Sequence, residues 1–336
     1  MENMEDITSN AEVASGVFED VPDAAVVPQK EPPKRRKNDL RRTENILGWV
    51  YISPMVVGLL VFTAVPLIMS IMAIFYDWNG VNTLFESKAV GFKNLQMIFG
   101  GIESSLYWKA FGNSLLFAIQ LPLGMIIGLF LALAMNREMR GVQTFRVLYY
   151  LPGVMSVVAV SIVWNNLFRD NGTLNTMLEG MGLSKVKWLN SSGGVVFVVN
   201  LFQIWKGVGY TTLMFVAGLQ SVSTDQIEAA KIDGANSWTI LIKITLPALY
   251  STIFYLFVTG LMGALQMFNE PFLLLADVGG GYGIDHNGMT TVGFVYDKFN
   301  SQKLGLASTG AWVLAIFIFI ITAIQLYVDR KKQEAE

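Results

Sequence analysis

Six stretches of the chain are apolar over roughly the 20 residues that a helix needs to cross about 30 Å of hydrocarbon. They cover residues 47–76, 111–135, 147–168, 195–218, 249–275 and 304–328. The pattern predicts an all-α fold, a polytopic membrane helix bundle with six transmembrane helices. The first stretch is long enough to tilt or to extend past the bilayer. Because it begins only at residue 47, it reads as a retained span rather than a secretory signal. The fourth is interrupted by Asn200, Gln203 and Lys206. In the second, Gly124, Gly128 and Ala132 recur every fourth residue, a small-residue stripe that lets another helix approach closely.

Composition sharpens this picture. Hydrophobic residues make up 53% and charged residues 15%, with a mean hydropathy of +0.46, against roughly 25% charged in an ordinary soluble domain. A water-soluble globule of this balance lacks the charge to cover its surface, and collagen-like and disordered classes are excluded with it. There is no cysteine among the 336 residues, so disulfide frameworks, thiolate metal sites and cysteine nucleophiles are excluded too.

The net charge of −2 says little; its distribution says more. With the N-terminus in the cytoplasm, 15 Lys and Arg fall inside, among them Lys30, Lys34, Arg35, Arg36, Arg137, Arg140, Arg146, Lys231 and Lys243, and eight fall outside. This bias favours both termini inside. Residues 1–43 read as a disordered acidic tail ending in a basic stretch (30–42) that sets topology and meets anionic lipid, not nucleic acid. Residues 44–330 form the six-span domain, and 331–336 a cytoplasmic C-terminal tail. In the exterior loop 77–110, Phe92, Leu95, Met97, Ile98 and Phe99 suit a small helix lying on the bilayer. Gly279, Gly280, Gly281 and Gly283 mark loop 276–303 as a turn.

The most informative segment, 223–247, lies between the fourth and fifth stretches. It contains Glu228-Ala229-Ala230, then Asp233-Gly234, then Ile244-x-Leu246-Pro247. Ser223 and Gln226 have capping-box spacing, which predicts a helix start near 223. Gly234 permits a sharp turn, Asn236 or Ser237 suits the cap of a second short helix, and Pro247 suits the first turn of the next span. The product is a helix–turn–helix with a charged tip and small side chains, a shape suited to docking in a partner's groove.

This segment resembles the EAA loop of permease subunits of bacterial ABC importers. Three further stretches narrow the resemblance: Gly91-Phe92-x-Asn94 with Trp108-x-Ala110-Phe111-x-Asn113-Ser114-Leu115, Leu148-Tyr149-Tyr150-Leu151-Pro152, and Ala230-Lys231-Ile232-Asp233-Gly234-Ala235. Together they are similar to the carbohydrate-uptake permeases of the MalF type, over most of residues 44–330. Extra N-terminal spans and the large exterior domain of the maltose protein are missing. The resemblance implies that Glu228, Ala229, Ala230, Asp233, Gly234, Leu246 and Pro247 couple the chain to separate ATPase subunits. It also implies a second related permease, two ATPase chains that hold ATP and Mg, an extracytoplasmic solute-binding protein, and a carbohydrate cargo. No cofactor is expected on this chain, which lacks a Gly-x4-Gly-Lys-[Ser/Thr] phosphate loop.

Aligned by the coupling motif, Gly207, Tyr210, Gln266 and Asn269 fall where the maltose-type subunit lines its sugar site. Gln266 and Asn269, three apart, are expected on one helical face, and an aromatic platform beside amides suits hydroxyl-rich sugars. Helix–helix hydrogen bonding accounts for the same residues equally well, and for Asn165, Asn166, Asn200 and Gln203 better. Lys206 has Glu270 as a candidate partner. His286, the single histidine, sits beside Asp285 without a second imidazole, so neither a metal site nor catalytic residues are expected. Two other functional readings stay open: an ABC permease for a non-sugar solute, and an ATP-independent secondary transporter.

Overall fold

The structure, a computed structural model, describes residues 37–135 and 142–334. The acidic tail, Lys30, Lys34, Arg35, Arg36, Arg137 and Arg140 lie outside the described residues. The chain divides into two units, Met1–Thr63 and Ala64–Glu336. The first contains α1 (Lys37–Leu59), which carries Pro54 in its interior.

In the second unit, α2 (Val65–Ala73) starts with Pro66 in its first turn. A two-residue antiparallel pair follows, β1 (Tyr76–Asp77) with β2 (Lys88–Ala89). Next comes α3 (Lys93–Phe99), the small helix expected in loop 77–110. It is tied into the protein rather than merely resting on lipid. Ile98 is fully buried, and the Asn94 amide donates to the carbonyls of Ile74 and Tyr76 at 2.9 and 3.0 Å. The helices α4 (Ser104–Phe117) and α5 (Gln120–Met135) follow each other with a short break before Pro122. The second apolar stretch therefore begins seven residues earlier than its hydropathy indicates.

The third stretch departs from a straight span. It consists of α6 (Val142–Val154) and α7 (Val157–Phe168), bent by 93° where they meet. Pro152 and Gly153 precede the bend, and Ser156 is extended (φ −57°, ψ 125°). A proline inside a helix removes one backbone bond and crowds the preceding turn, which locates the bend. After α8 (Thr173–Gly180) comes α9 (Ser192–Leu219), capped by the Ser191 hydroxyl, which accepts from the Gly194 amide.

Helix α9 is the axis of the second unit, packed chiefly on α5 and α6. Small residues set the approach. A Cβ on Gly128 would stand 2.8 Å from Thr211 Cγ2, and one on Gly209 would stand 2.6 Å from the Tyr149 carbonyl oxygen and 2.8 Å from the Tyr150 Cα. Backbone atoms cannot swing aside, so Gly209→Ala is expected to destabilise the protein by about 1–3 kcal/mol. Gly207→Ala on the same helix meets nothing within 4 Å and is expected to be neutral or slightly stabilising, since alanine is the better helix former. Thermal unfolding of the two variants in detergent separates them; equal melting temperatures would refute the close-approach argument.

The segment 223–247 follows as α10 (Thr224–Ile232), α11 (Ser237–Ile240), a π-helical turn (Leu241–Thr245) and α12 (Leu246–Ala248). The fifth stretch is not one helix: α13 (Tyr250–Leu265) stops, and α14 (Asn269–Leu274) starts afresh. Loop 276–303 contains the expected glycine turn, with positive φ at Gly279, Gly280, Gly281 and Gly283. It also contains a helix that hydropathy did not indicate, α15 (Thr291–Asn300), capped by Thr290. The chain closes with α16 (Leu304–Gln333).

Among the described residues, three helices are long and apolar enough to cross a membrane (Asn45–Ala73, Ser104–Met135 and Leu304–Lys332), and up to five if each bent pair forms one span. The second such pair, Ser237–Ala248 with Tyr250–Leu265, is bent by 67°. The expectation of six apolar spans is thus met only in part. Helix α9 is 28 residues long, about 42 Å at 1.5 Å per residue, yet Asn200, Gln203 and Lys206 dilute its hydropathy.

Three buried clusters hold the second unit together. One gathers Phe117, Phe168, Leu189, Val198 and Leu274. Another gathers Ile98, Tyr107, Phe294 and Leu306. The third gathers Ala132, Phe215, Leu219, Leu249 and Leu256.

Candidate functional site

The segment 223–247 is built from local signals. The Ser223 hydroxyl accepts from the Gln226 amide and starts α10. Asp233 ends that helix, Gly234 turns the chain at φ +81°, and the Ala235 amide returns to the Ala230 carbonyl at 2.9 Å. This is the left-handed glycine stop of a helix C-terminus. The Asn236 side chain accepts from the Thr239 amide at 2.8 Å and starts α11. Pro247 lies in the first turn of α12.

Only one face of this hairpin is anchored. Ile227 and Ile244 pack against the buried cluster of Phe215, Leu219, Leu249 and Leu256. Glu228, Ala229, Asp233, Gly234 and Pro247 are exposed, while Ala230 and Leu246 are half-buried. Beside the charged tip, Ile232 is 86% and Trp238 62% exposed. An apolar isoleucine and tryptophan at a tip otherwise made of small, charged and polar residues form a surface suited to a partner. In the sequence Ile232 stands only as part of a motif and Trp238 not at all; the signal for Ile232 is its offset from the α10 face that carries Ile227. At the far end of α16, the Lys332 ammonium stands 3.5 Å over the Tyr250 ring, so this end of α16 and the end of segment 223–247 share one side of the second unit.

The polar residues of α9 and of the fifth stretch are arranged differently from expectation. Gly207 and Tyr210 lie on one exposed edge of α9, with the Tyr210 and Tyr255 hydroxyls 3.5 Å apart. Gln266 is the residue that ends α13, whereas Asn269 opens α14. The two therefore do not share a helical face. Pro271 explains the break: in an uninterrupted helix its ring would collide with the Met267 carbonyl, whereas the first turn of a new helix accepts proline. No hydrogen bond joins Tyr210 to Gln266 or Asn269 among the described residues.

Other polar groups tie helices together. The Asn165 amide donates to the Leu274 carbonyl at 3.0 Å, and the Asn200 amide to the Leu116 carbonyl at 3.2 Å. The Asn166 amide donates to the Ile162 carbonyl of its own helix at 2.9 Å. Lys206 and Glu270 meet, with Nζ and Oε1 3.6 Å apart. Among the described residues no cluster of three or more His, Asp or Glu could hold a metal ion.

Comparison with known proteins decides the class. Residues 120–334 match the family described as binding-protein-dependent transport system inner membrane component. The chain belongs to this family. The permease is 30% identical over 292 residues to the probable ABC transporter permease protein YesP of Bacillus subtilis, covering 86% of this chain and 92% of the relative. It is 26% identical to the lactose transport system permease protein LacF of Rhizobium radiobacter, over 88% and 98%. The crystal structure of a bacterial ABC transporter involved in the import of the acidic polysaccharide alginate contains a chain of the same fold. The TM-score is 0.73 at 23% identity, with 88% of this chain and 98% of that chain covered. The permease is thus an inner-membrane transport subunit of a binding-protein-dependent importer, and ATP hydrolysis belongs to a separate ATPase chain.

Proposed function

We propose that the permease forms half of the translocation pathway of an ATP-driven carbohydrate importer. The hairpin 223–247 is its mechanical link to an ATPase. The observation that carries the link is the two-sided character of the hairpin: Ile227 and Ile244 are rooted in the helix core, and Glu228, Ile232 and Trp238 are presented outward. A push on the exposed tip is transmitted to α9 and α13 as a rigid-body movement, because those helices meet the hairpin in one packed cluster. Cargo of the saccharide class is supported by the lactose and alginate importers among the relatives.

The assembly has a second related permease, two ATPase subunits with ATP and Mg, and an extracytoplasmic binding protein. The chain crosses the membrane six times, with α9 as the fourth crossing and both termini in the cytoplasm. Purification of the intact assembly, with identification of its co-purifying chains and bound solute, tests the reading. A bound saccharide together with an ATPase chain supports it; a non-sugar solute or the absence of an ATPase overturns it.

Tyr210 and Gln266 belong to the pathway in this reading. Tyr210→Ala and Gln266→Ala are expected to change uptake of individual sugars by about tenfold, the worth of one hydrogen bond or stacking contact, with normal assembly. Unchanged uptake kinetics across a panel of sugars would remove both residues from the pathway.

A further inference from the structure

In its middle turns, helix α9 is buried on one side and carries a polar stripe, residues 203–210, on the other. Phe202, Gly209, Thr212 and Phe215 are buried, whereas Gln203, Lys206, Gly207 and Tyr210 are half-buried or exposed. The second set has the spacing i, i+3, i+4, i+7 and so forms one continuous stripe. A stripe with an ammonium group is costly against lipid, so it faces water or protein. Glu270, which pairs with Lys206, lies two residues after the break between α13 and α14. Interrupted helices at membrane depth persist where they line a cavity or are enclosed by protein, and transporters place cargo at such breaks.

The pair itself is open to a ligand. At 3.6 Å, with side chains 19% and 23% exposed, it is neither sealed in the core nor freely solvated. An ammonium has three donors and a carboxylate two acceptor oxygens, so one mutual contact leaves groups on both residues for hydroxyls. As a unit the pair carries no net charge. An anionic sugar that approached Lys206 would displace Glu270 and leave a carboxylate without its partner.

Building on the carbohydrate reading above, we propose that Lys206 and Glu270 contact the cargo and act as a charge filter, admitting neutral saccharides and disfavouring acidic ones. The test uses the complete assembly in proteoliposomes, with a neutral oligosaccharide and its uronate-terminated counterpart. If the wild type transports neither, the carbohydrate reading fails; if it transports the neutral form, the filter can be judged separately.

Glu270→Gln leaves Lys206 alone and is expected to shift the uptake ratio roughly tenfold toward the uronate. Lys206→Met leaves Glu270 alone and is expected to shift it away from the uronate by a similar factor. The swapped double variant Lys206→Glu/Glu270→Lys keeps the wild-type ratio. Assembled variants with an unchanged ratio would reduce the pair to a structural brace and overturn the proposal.

Gln203→Cys provides a readout with the pair intact, in a chain that has no cysteine of its own. Labelling of Cys at this position by a membrane-impermeant thiol reagent, slowed by the neutral sugar and not by its uronate counterpart, supports the filter even if the charge variants fail to assemble. Absence of labelling in an assembled transporter places the stripe against protein or lipid and overturns it.

Discussion

Glu228→Lys is expected to lower uptake by about a hundredfold while the subunit stays in the membrane at normal level. A factor of that size corresponds to about 2.7 kcal/mol, within the range for removing one partner of a charge pair at an interface. The argument rests on position. Glu228 is exposed on α10, four residues before the end of the helix, and contributes nothing to the core that anchors the hairpin. Reversing its charge therefore leaves the fold intact, and in the proposed docking it would set a cation against a basic residue of the ATPase. Gly234→Pro tests the same element through its backbone. Gly234 sits at φ +81°, whereas proline holds φ near −65°, so the turn between α10 and α11 cannot form. Glu228→Gln, which removes the charge without reversing it, is expected to fall between wild type and Lys. The measurements are sugar uptake and binding-protein-stimulated ATP turnover, with membrane level as the control. Wild-type stimulation in Glu228→Lys would end the coupling role of this hairpin.

Glu103→Ala is expected to destabilise the permease by up to about 3–5 kcal/mol, the range for breaking a buried ion pair from one side. Glu103 receives Lys298 at 2.8 Å and Lys303 at 3.6 Å, and the side chains of Glu103 and Lys298 are only 10% and 9% exposed. Lys298 retains Asp297 at 3.3 Å and stands 5.1 Å from the Phe294 ring centroid, which softens the loss without cancelling it. The contact pins the start of α4 to α15, next to the Tyr107–Phe294 edge-to-face pair. Replacing both ions by apolar residues, Glu103→Leu with Lys298→Met, is expected to recover most of the stability, because no desolvated charge pair is left to satisfy. Melting of the single and double variants in detergent checks both statements. A single variant within about 0.5 kcal/mol of wild type would mean that water screens the pair as it does at a surface.

The two predictions differ in how readable their residues were. Glu228 lies in a motif whose parts act over a few residues. Ser223 capping Gln226, Gly234 turning the chain and Asn236 capping Thr239 are local events that residue type and spacing dictate. The Glu103–Lys298 contact joins positions almost 200 residues apart, and nothing in either neighbourhood announces the other. Lys206 and Glu270 are intermediate: each stood out as a charge in an apolar stretch, but only the path of the chain brings them to 3.6 Å.

Hydropathy measures transfer of side chains from water and is blind to backbone direction. It marked the apolar stretches, of which three helices, or up to five with the bent pairs, are long and apolar enough to cross a membrane among the described residues. It could not report that the third bends by 93°, or that the fifth ends at Leu265 and restarts at Asn269, although Pro152 and Pro271 marked both places. Amphipathic pieces such as α15, which is short and only partly apolar, escape it for the same reason. The sequence by itself determined the membrane class, the capped hairpin with its glycine turn, and the small-residue stripe, since each follows from local propensity or from the cost of polar groups in hydrocarbon. Tertiary structure alone decided which helices bend, which charges pair, and which edge of α9 is left polar and open. Those outcomes depend on contacts between distant segments, and contact energies are settled only when the chain is packed.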